Sequence, residues 1–138
     1  MADRGGGCCN YAKTLPGVDA SRVGLLGFSL GGHICLRLRA MAKVLVEFFA
    51  PEGAEWGGLG STTSRTLHAQ IHHGLADNLV RYVPNAVNIE KILKGEGAVV
   101  ELCSYEGAGH GFAGDDPANA KARKDAMDGT LSFFIKHL

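Results

Sequence analysis

The sequence predicts an α/β fold with about four parallel strands flanked by helices, and three observations carry that prediction. Four short runs have the apolar, strand-like character of sheet segments, and the segments between them look helical at least in part. Strands that alternate with helices favour a parallel sheet. The length of 138 residues suits one domain. The strand-like runs are Arg22–Leu26, Val44–Ala50, Thr66–His73 and Ala98–Tyr105.

The first run leads into the pentad Gly27–Gly31, which reads Gly-Phe-Ser-Leu-Gly and has the form G-x-S-x-G. An apolar helical pattern follows it, so the pentad occupies a strand–turn–helix context. In that context the pentad indicates a nucleophile elbow, with Ser29 exposed at the end of a strand. The two outer glycines are expected because side chains at those positions would collide with the neighbouring strand and helix.

A nucleophilic serine needs a general base, and the base needs an orienting acid. Asp77 follows the strand-like run 66–73, and His110 follows the run 98–105. The carboxyl ends of parallel strands meet at one edge of a sheet, where ligands bind in α/β folds. The sequence therefore predicts that Ser29, Asp77 and His110 lie together at that edge.

Other titratable residues are less well placed for these roles. His33 lies inside the helix after the pentad, and His137 lies in the last turn of the last helix. Asp116 precedes a proline and is better used as a helix cap. Glu106 and Asp115 flank the histidine loop and remain open as alternatives.

No metal or cofactor is expected. His68 and His72 stand four residues apart on one strand, about 13 Å, which is too far for one metal ion. Apolar and polar residues alternate along the same strand, so one of its faces is expected to be less covered than is usual for a buried parallel strand.

Three helices are predicted, each with a buried apolar stripe. The first follows the pentad, the second runs from Pro84 to about Gly95, and the last begins after Asp116-Pro117. The expected stripes are Leu30, Ile34, Leu38 and Met41, then Ala86, Ile89 and Leu93, and finally Met127, Leu131, Phe134 and Leu138.

Three motifs together resemble the α/β-hydrolase superfamily, and within it the dienelactone-hydrolase-like branch. They are Gly17–Asp19 leading into Val23–Gly32, then His73–Asp77, and then Tyr105–Phe112, within a resemblance from about Leu15 to Leu138. The resemblance implies Ser29 as nucleophile, Asp77 as orienting acid and His110 as base. The N–H of Leu30 would be one oxyanion donor.

The chain departs from this family pattern in two ways. Dienelactone hydrolases proper carry cysteine where this chain has Ser29, which favours a general ester as substrate. The front half of the fold is also missing, including the early loop that supplies a second oxyanion donor. Residues 15–138 are expected to form the catalytic domain. Residues 1–14 are expected to be a flexible Gly-rich segment, with Gly5–Gly7 folding back as amide donors as the lesser alternative.

Without that front half, the strand before Ser29 becomes a sheet edge. An edge strand exposes unpaired backbone groups and is a template for pairing. We therefore expect a homodimer or another cover over this edge.

The expected function is that of a serine esterase that cleaves small short-acyl esters through an acyl-enzyme, although lactones and thioesters would use the same chemistry. The alternative is a catalytically inactive remnant of the fold that acts as a binding or dimerisation module. Candidate substrate-binding residues are Phe28, Trp56, Asn78 and Phe112. Trp56 either lines the acyl pocket or packs in the interior.

Composition favours a cytoplasmic protein with no nucleic-acid or membrane partner. The formal net charge is zero, and no apolar run reaches the length of a membrane-spanning helix. No signal peptide is visible. The four cysteines have no C-x-x-C spacing and are expected to be reduced thiols.

Overall fold

A single sheet of four parallel strands, in the spatial order of the chain, organises the molecule. The computed structural model describes residues 6–60, 62 and 67–138, so the predicted start of the third strand at Thr66 lies outside the described residues. The prediction of a four-stranded parallel sheet is confirmed. The strands are β1 (Gly24–Phe28), β2 (Val44–Phe48), β3 (His68–Gly74) and β4 (Val99–Tyr105).

Helices connect most of these strands, as parallel pairing requires. A π-helical turn, Val83–Val87, leads directly into the third helix, and short 3-10 turns occur at Arg39–Met41, Ala54–Trp56 and His110–Phe112. The longer helices are α1 (Gly6–Lys13), α2 (Leu30–Arg37), α3 (Asn88–Gly95) and α4 (Pro117–His137).

The sheet separates two apolar cores. The core beneath α2 and α3 contains Leu36, Leu45, Ile71, Ile89 and Leu93. The core beneath α4 contains Val44, Val46, Phe48, Ala126 and Phe133. The stripe predicted for α3 is confirmed, because Ala86, Ile89 and Leu93 are fully buried.

The stripe predicted for α2 is wrong. Leu30 and Ile34 are about half exposed, whereas the buried face of this helix carries Gly32, His33 and Leu36. The physical reason is close packing: a Cβ at Gly32 would lie 2.9 Å from the Cβ of Ala50. The glycine face therefore meets the sheet, and the larger apolar face is left outward.

The stripe predicted for α4 is right at Phe134 and Leu138, which are partly buried against the core, and wrong at its first two positions. Met127 and Leu131 are exposed, whereas Ala122, Ala126, Thr130 and Phe133 are buried. Small side chains allow this helix to approach the sheet closely, so they occupy the buried face. The predicted start is confirmed, since Oδ1 of Asp116 accepts a hydrogen bond from the Asn119 N–H at 3.0 Å.

The expectation that one face of β3 is less covered is also wrong, because α4 covers its polar face. His72 is fully buried and bonded through Nδ1 to the Tyr105 hydroxyl and through Nε2 to Gln70 Oε1, each at 2.8 Å. Burial lowers the pKa of His72 to about 4. His72 and Gln70 are thus hydrogen-bonded inside the protein.

The amino-terminal segment is more regular than the sequence suggested. Gly6–Lys13 forms α1, and Lys13 Nζ donates to the Met41 carbonyl at 2.9 Å. This helix is not predicted from the sequence. Residues 1–5, including Gly5 as a possible amide donor, lie outside the described residues.

Among the described residues, β1 pairs with β2 alone, so it is an edge strand of this sheet as expected. Five large apolar side chains along this edge and the outer stripe of α4 are exposed by 42–85%. We call this surface the apolar margin; it consists of Leu26, Phe28, Met127, Leu131 and Ile135. Within the described residues, no helix combines the length and the apolar character needed to cross a bilayer.

Candidate active site

Ser29 lies in the sharp turn between β1 and α2. Its backbone has φ 52° and ψ −121°, a conformation that is strained for a residue with a side chain. The turn is fixed to the sheet because the Ser29 N–H donates to the Phe48 carbonyl at 2.8 Å. Leu30 is the first residue of α2, so its N–H is one of the four without an intrahelical acceptor.

One of the two outer glycines of the pentad has the predicted role, and the other does not. A Cβ at Gly27 would overlap the Gly31 carbonyl, which agrees with the predicted collision. A Cβ at Gly31 would meet nothing within 4 Å among the described residues, so the collision predicted there is wrong. The second glycine that close packing requires is Gly32.

Two loops at the carboxyl ends of β3 and β4 bring Asp77 and His110 together. The Ala76 N–H donates to the Ala108 carbonyl at 3.0 Å, and a Cβ at Gly74 would overlap that same carbonyl. Glycine is therefore needed at position 74 for the two loops to approach one another.

Ser29, His110 and Asp77 form a continuous hydrogen-bonded chain. Ser29 Oγ lies 3.1 Å from His110 Nε2, and His110 Nδ1 lies 2.8 Å from Asp77 Oδ2. A carboxylate accepts hydrogen bonds only, so Nδ1 carries the proton and Nε2 is left to accept from the serine hydroxyl. The three side chains are therefore arranged as nucleophile, base and orienting acid would need to be.

The Asp77 carboxylate is buried and anchored at both oxygens. Its Oδ1 accepts from the N–H groups of Leu79 and Val80 at 3.0 and 2.8 Å. The His73 Nε2 lies 3.5 Å from Asp77 Oδ2 and 2.7 Å from the Val80 carbonyl. Burial lowers the pKa of His73, so this second histidine is neutral beside the carboxylate.

An apolar cleft of about 180 Å³ opens beside the hydrogen-bonded chain. Two of the predicted substrate-binding residues, Phe28 and Phe112, line it. Trp56 does not: its ring lies 6.3 Å from that of His33, and it is partly exposed. Asn78 is exposed on the loop after Asp77. The cleft is lined by Phe28, Phe48, Phe49, Gly111, Phe112, Arg123 and Met127.

Phe49 is a residue that sequence reasoning missed. Its ring lies 4.9 Å from the His110 ring and 5.2 Å from the Phe112 ring. Within the described chain, the non-glycine residues with positive φ are Ser29, Phe49 and Phe112, and all three surround His110. Backbone strain often clusters at functional sites. The sequence places Phe49 inside the strand-like run Val44–Ala50, whereas β2 ends at Phe48 in the structure.

The alternative residues stay apart from this arrangement. His33 Nδ1 bonds the Pro51 carbonyl at 2.9 Å, and the His137 ring stacks on His68 at 4.1 Å. Glu106 and Asp115 are exposed. A separate cavity of about 200 Å³ lies at the opposite end of β1 and β2 and is lined by none of the three residues of the chain.

Comparisons with known proteins agree with the fold and the motifs. Residues 4–138 match the model of the dienelactone hydrolase family. A Synechocystis protein named provisionally as a carboxymethylenebutenolidase is 29% identical over an alignment of 138 positions, and the match covers 93% of this chain and 56% of that protein. The chain thus spans about half the length of this relative.

Solved structures show the same fold at low identity. A dienelactone hydrolase-like promiscuous phosphotriesterase from metagenomic libraries has a TM-score of 0.72 and 21% identity, covering 94% of this chain and 58% of that one. Esterase PE8 has a TM-score of 0.69 and 20% identity, covering 94% and 57%. A dipeptidyl peptidase 4 from Porphyromonas gingivalis has a TM-score of 0.77 and 18% identity, covering 94% and 22%.

Proposed function

Because the chain belongs to the dienelactone hydrolase family, we propose that it is a serine-dependent carboxylic ester hydrolase. The observation that carries the proposal is the hydrogen-bonded chain from Ser29 through His110 to Asp77, with donor–acceptor distances of 3.1 and 2.8 Å. A nucleophile, a base and an orienting acid in that order activate a hydroxyl for attack on an acyl carbon.

In the first half-reaction, Ser29 Oγ attacks the ester carbonyl carbon while its proton passes to His110 Nε2. The carbonyl oxygen becomes negatively charged and is stabilised by the Leu30 N–H, assisted by the positive end of the α2 dipole. The C–O bond to the alcohol then breaks, and the alcohol leaves with the proton from His110. Asp77 holds the imidazole orientation and stabilises its cationic form.

In the second half-reaction, water attacks the acyl-enzyme. His110 Nε2 takes a proton from the water as its oxygen bonds to the acyl carbon. When the bond to Ser29 Oγ breaks, the proton returns to that oxygen and the carboxylic acid is released. The cycle consumes one ester and one water, and it yields one acid and one alcohol.

We propose small, short-acyl esters as the substrate class, with the apolar substituent in the cleft that Phe28 and Phe112 line. The cleft volume of about 180 Å³ and its aromatic lining support an apolar group of modest size. Asn78 is a further candidate for contact with substrate because it is exposed directly after Asp77. Lactones and thioesters share the same acyl chemistry.

We also propose that a second copy of the chain covers the part of the apolar margin that does not line the cleft, namely Leu26, Leu131 and Ile135. Edge strand β1 offers unpaired backbone groups, and the exposed apolar side chains lie beside it. Sedimentation at micromolar concentration tests this: a dimer that Ile135→Lys converts to monomer supports it, and a monomeric wild type refutes it.

The enzymatic proposal is tested by steady-state hydrolysis of p-nitrophenyl esters of increasing acyl length. We expect turnover of the acetate and butyrate esters that disappears in Ser29→Ala, with slower turnover for long acyl chains. A folded wild-type protein whose rate equals that of Ser29→Ala would instead favour an inactive hydrolase fold that serves as a binding or dimerisation module.

A further inference from the structure

Glu47 is a buried acidic residue that the mechanism above does not use. It lies in β2 among apolar residues and is fully buried. One carboxyl oxygen, Oε2, accepts a hydrogen bond from the Ala50 N–H at 2.8 Å. The other, Oε1, is buried and has no hydrogen-bond partner within the described residues. Glutamate is rarely found in a fully buried position, because moving its charged carboxylate out of water costs free energy.

The hydrogen bond from Ala50 closes a turn, Phe48–Ala50, at the carboxyl end of β2. The Phe48 carbonyl in this turn accepts the Ser29 N–H at 2.8 Å. The Phe49 ring lies 4.9 Å from the His110 ring. The turn therefore touches the elbow that carries the nucleophile and the ring of the base.

The turn is also strained and needs an external restraint. Phe49 has φ 42°, which is unfavourable for a bulky residue and persists only where the surroundings enforce it. Its N–H donates to the His72 carbonyl at 2.8 Å on one side, and the Glu47 carboxyl restrains Ala50 on the other. Glu47 is thus the side-chain part of the restraint.

The surroundings of Glu47 favour an uncharged carboxyl. On β1 and β3 its register partners are Gly27 and Ile71, which carry no charge. From α2 the Cys35 thiol interacts electrostatically with Glu47, and the buried His33 forms a hydrogen bond through Nδ1 with the Pro51 carbonyl. Burial raises the pKa of Cys35 to about 11 and that of Glu47 to about 8. A neutral carboxyl still accepts from Ala50 through its carbonyl oxygen.

We propose that Glu47 is a positioning residue for the hydrolytic site: its neutral buried carboxyl holds the turn Phe48–Ala50, and through that turn it sets the geometry between Ser29 and His110. The inference rests on the proposed ester hydrolase function. If Glu47 has this role, removing its hydrogen-bond acceptor should lower kcat. Ionisation of its carboxyl should lower kcat as well.

The test compares kcat and KM for p-nitrophenyl acetate in the wild type, Glu47→Gln, Glu47→Ala and the control Val46→Ala. Glutamine keeps the acceptor without ionising, so we expect a kcat within about threefold of the wild type. Alanine removes the acceptor, so we expect kcat to fall about tenfold or more with KM little changed. Val46→Ala removes volume from the same strand without touching the turn, so its kcat should stay near that of the wild type.

The pH profile separates positioning from simple packing. The wild-type kcat should decline above pH 8, where Glu47 ionises, whereas Glu47→Gln should show no such decline. The comparison of these two pH profiles still tests the role of Glu47 if Glu47→Ala does not fold. Equal profiles for the wild type and Glu47→Gln, or a folded Glu47→Ala with wild-type kcat, would overturn the inference while the hydrolase proposal stands. A wild type without turnover would overturn both.

Discussion

His110 Nδ1 lies 2.8 Å from Asp77 Oδ2, although 33 residues separate them in the chain. The contact exists because two loops at the ends of neighbouring strands approach through Gly74 and Ala108. The carboxylate leaves the histidine one choice of tautomer, in which Nε2 faces the Ser29 hydroxyl. The hydrogen bond at Asp77 therefore fixes which nitrogen of His110 faces Ser29.

Asp77→Asn is expected to lower kcat for ester hydrolysis by about 10³–10⁴, because an amide no longer selects the tautomer with a proton on Nδ1. The measurement is steady-state turnover of p-nitrophenyl acetate. Asp115→Asn is the matched control, since Asp115 is an exposed carboxylate on the histidine side of the site. Equal losses in the two variants would contradict the role of Asp77.

Gly27→Ala and Gly31→Ala should have opposite effects on stability. The first places a Cβ on the Gly31 carbonyl and should disrupt the elbow, with a loss of several kcal/mol in the free energy of unfolding. The second places a Cβ in open space within a helix and should stabilise by about 0.5–1 kcal/mol. Urea denaturation measures the free energy of unfolding of both variants. Similar destabilisation by the two substitutions would refute the different roles of Gly27 and Gly31.

On α4, Phe133→Ala should lower the free energy of unfolding by about 3–5 kcal/mol, because Phe133 is buried. Leu131→Ala should change it by less than about 0.5 kcal/mol, because Leu131 is 60% exposed. Denaturation at low protein concentration keeps self-association out of the comparison. A larger loss of stability in Leu131→Ala than in Phe133→Ala would mean that Leu131 lies on the buried face of α4, as the sequence predicted.

His72 predicts a pH dependence of stability. Its folded pKa of about 4 lies below its ordinary value of 6.5, so the unfolded chain binds a proton that the folded protein excludes. The stabilisation is complete above pH 6.5 and is lost as the pH falls towards 4, by at most about 1.4 kcal/mol per pH unit. His72→Gln should be less stable than the wild type near neutral pH. That difference should shrink as the solution is acidified, and a constant difference in urea denaturation would contradict the assignment.

The strands and the candidate site residues could be predicted because each has a local signal. Ser29 stands in a recognisable strand–turn–helix pattern, and Asp77 and His110 each follow a strand-like run. In a parallel sheet those run ends share one edge, so their proximity follows from topology without knowledge of packing.

The buried faces of α2 and α4 could not be predicted in the same way. Apolar periodicity favoured Ile34 and Leu131, whereas the sheet contacts Gly32 and Ala126. Small residues allow a helix to approach the sheet closely. They are buried because the helix and the sheet lie close together there, and not because the residues are hydrophobic. The outward apolar side chains of α4 lie beside the edge strand β1, where a second copy of the chain is expected.

Phe49 and Glu47 were missed for a related reason. Neither belongs to a motif, and the importance of each depends on a strained turn that is visible only in the three-dimensional structure. A glutamate inside an apolar strand was the one available sign that the end of β2 has a special structure.

The central claim is that Ser29 is a nucleophile activated by His110, and covalent labelling tests it most directly. A fluorophosphonate probe should modify the folded protein at Ser29, as located by peptide mass spectrometry, and labelling should fall sharply in His110→Ala. A folded wild type that is not modified at Ser29, or that is modified equally well in His110→Ala, would contradict the account.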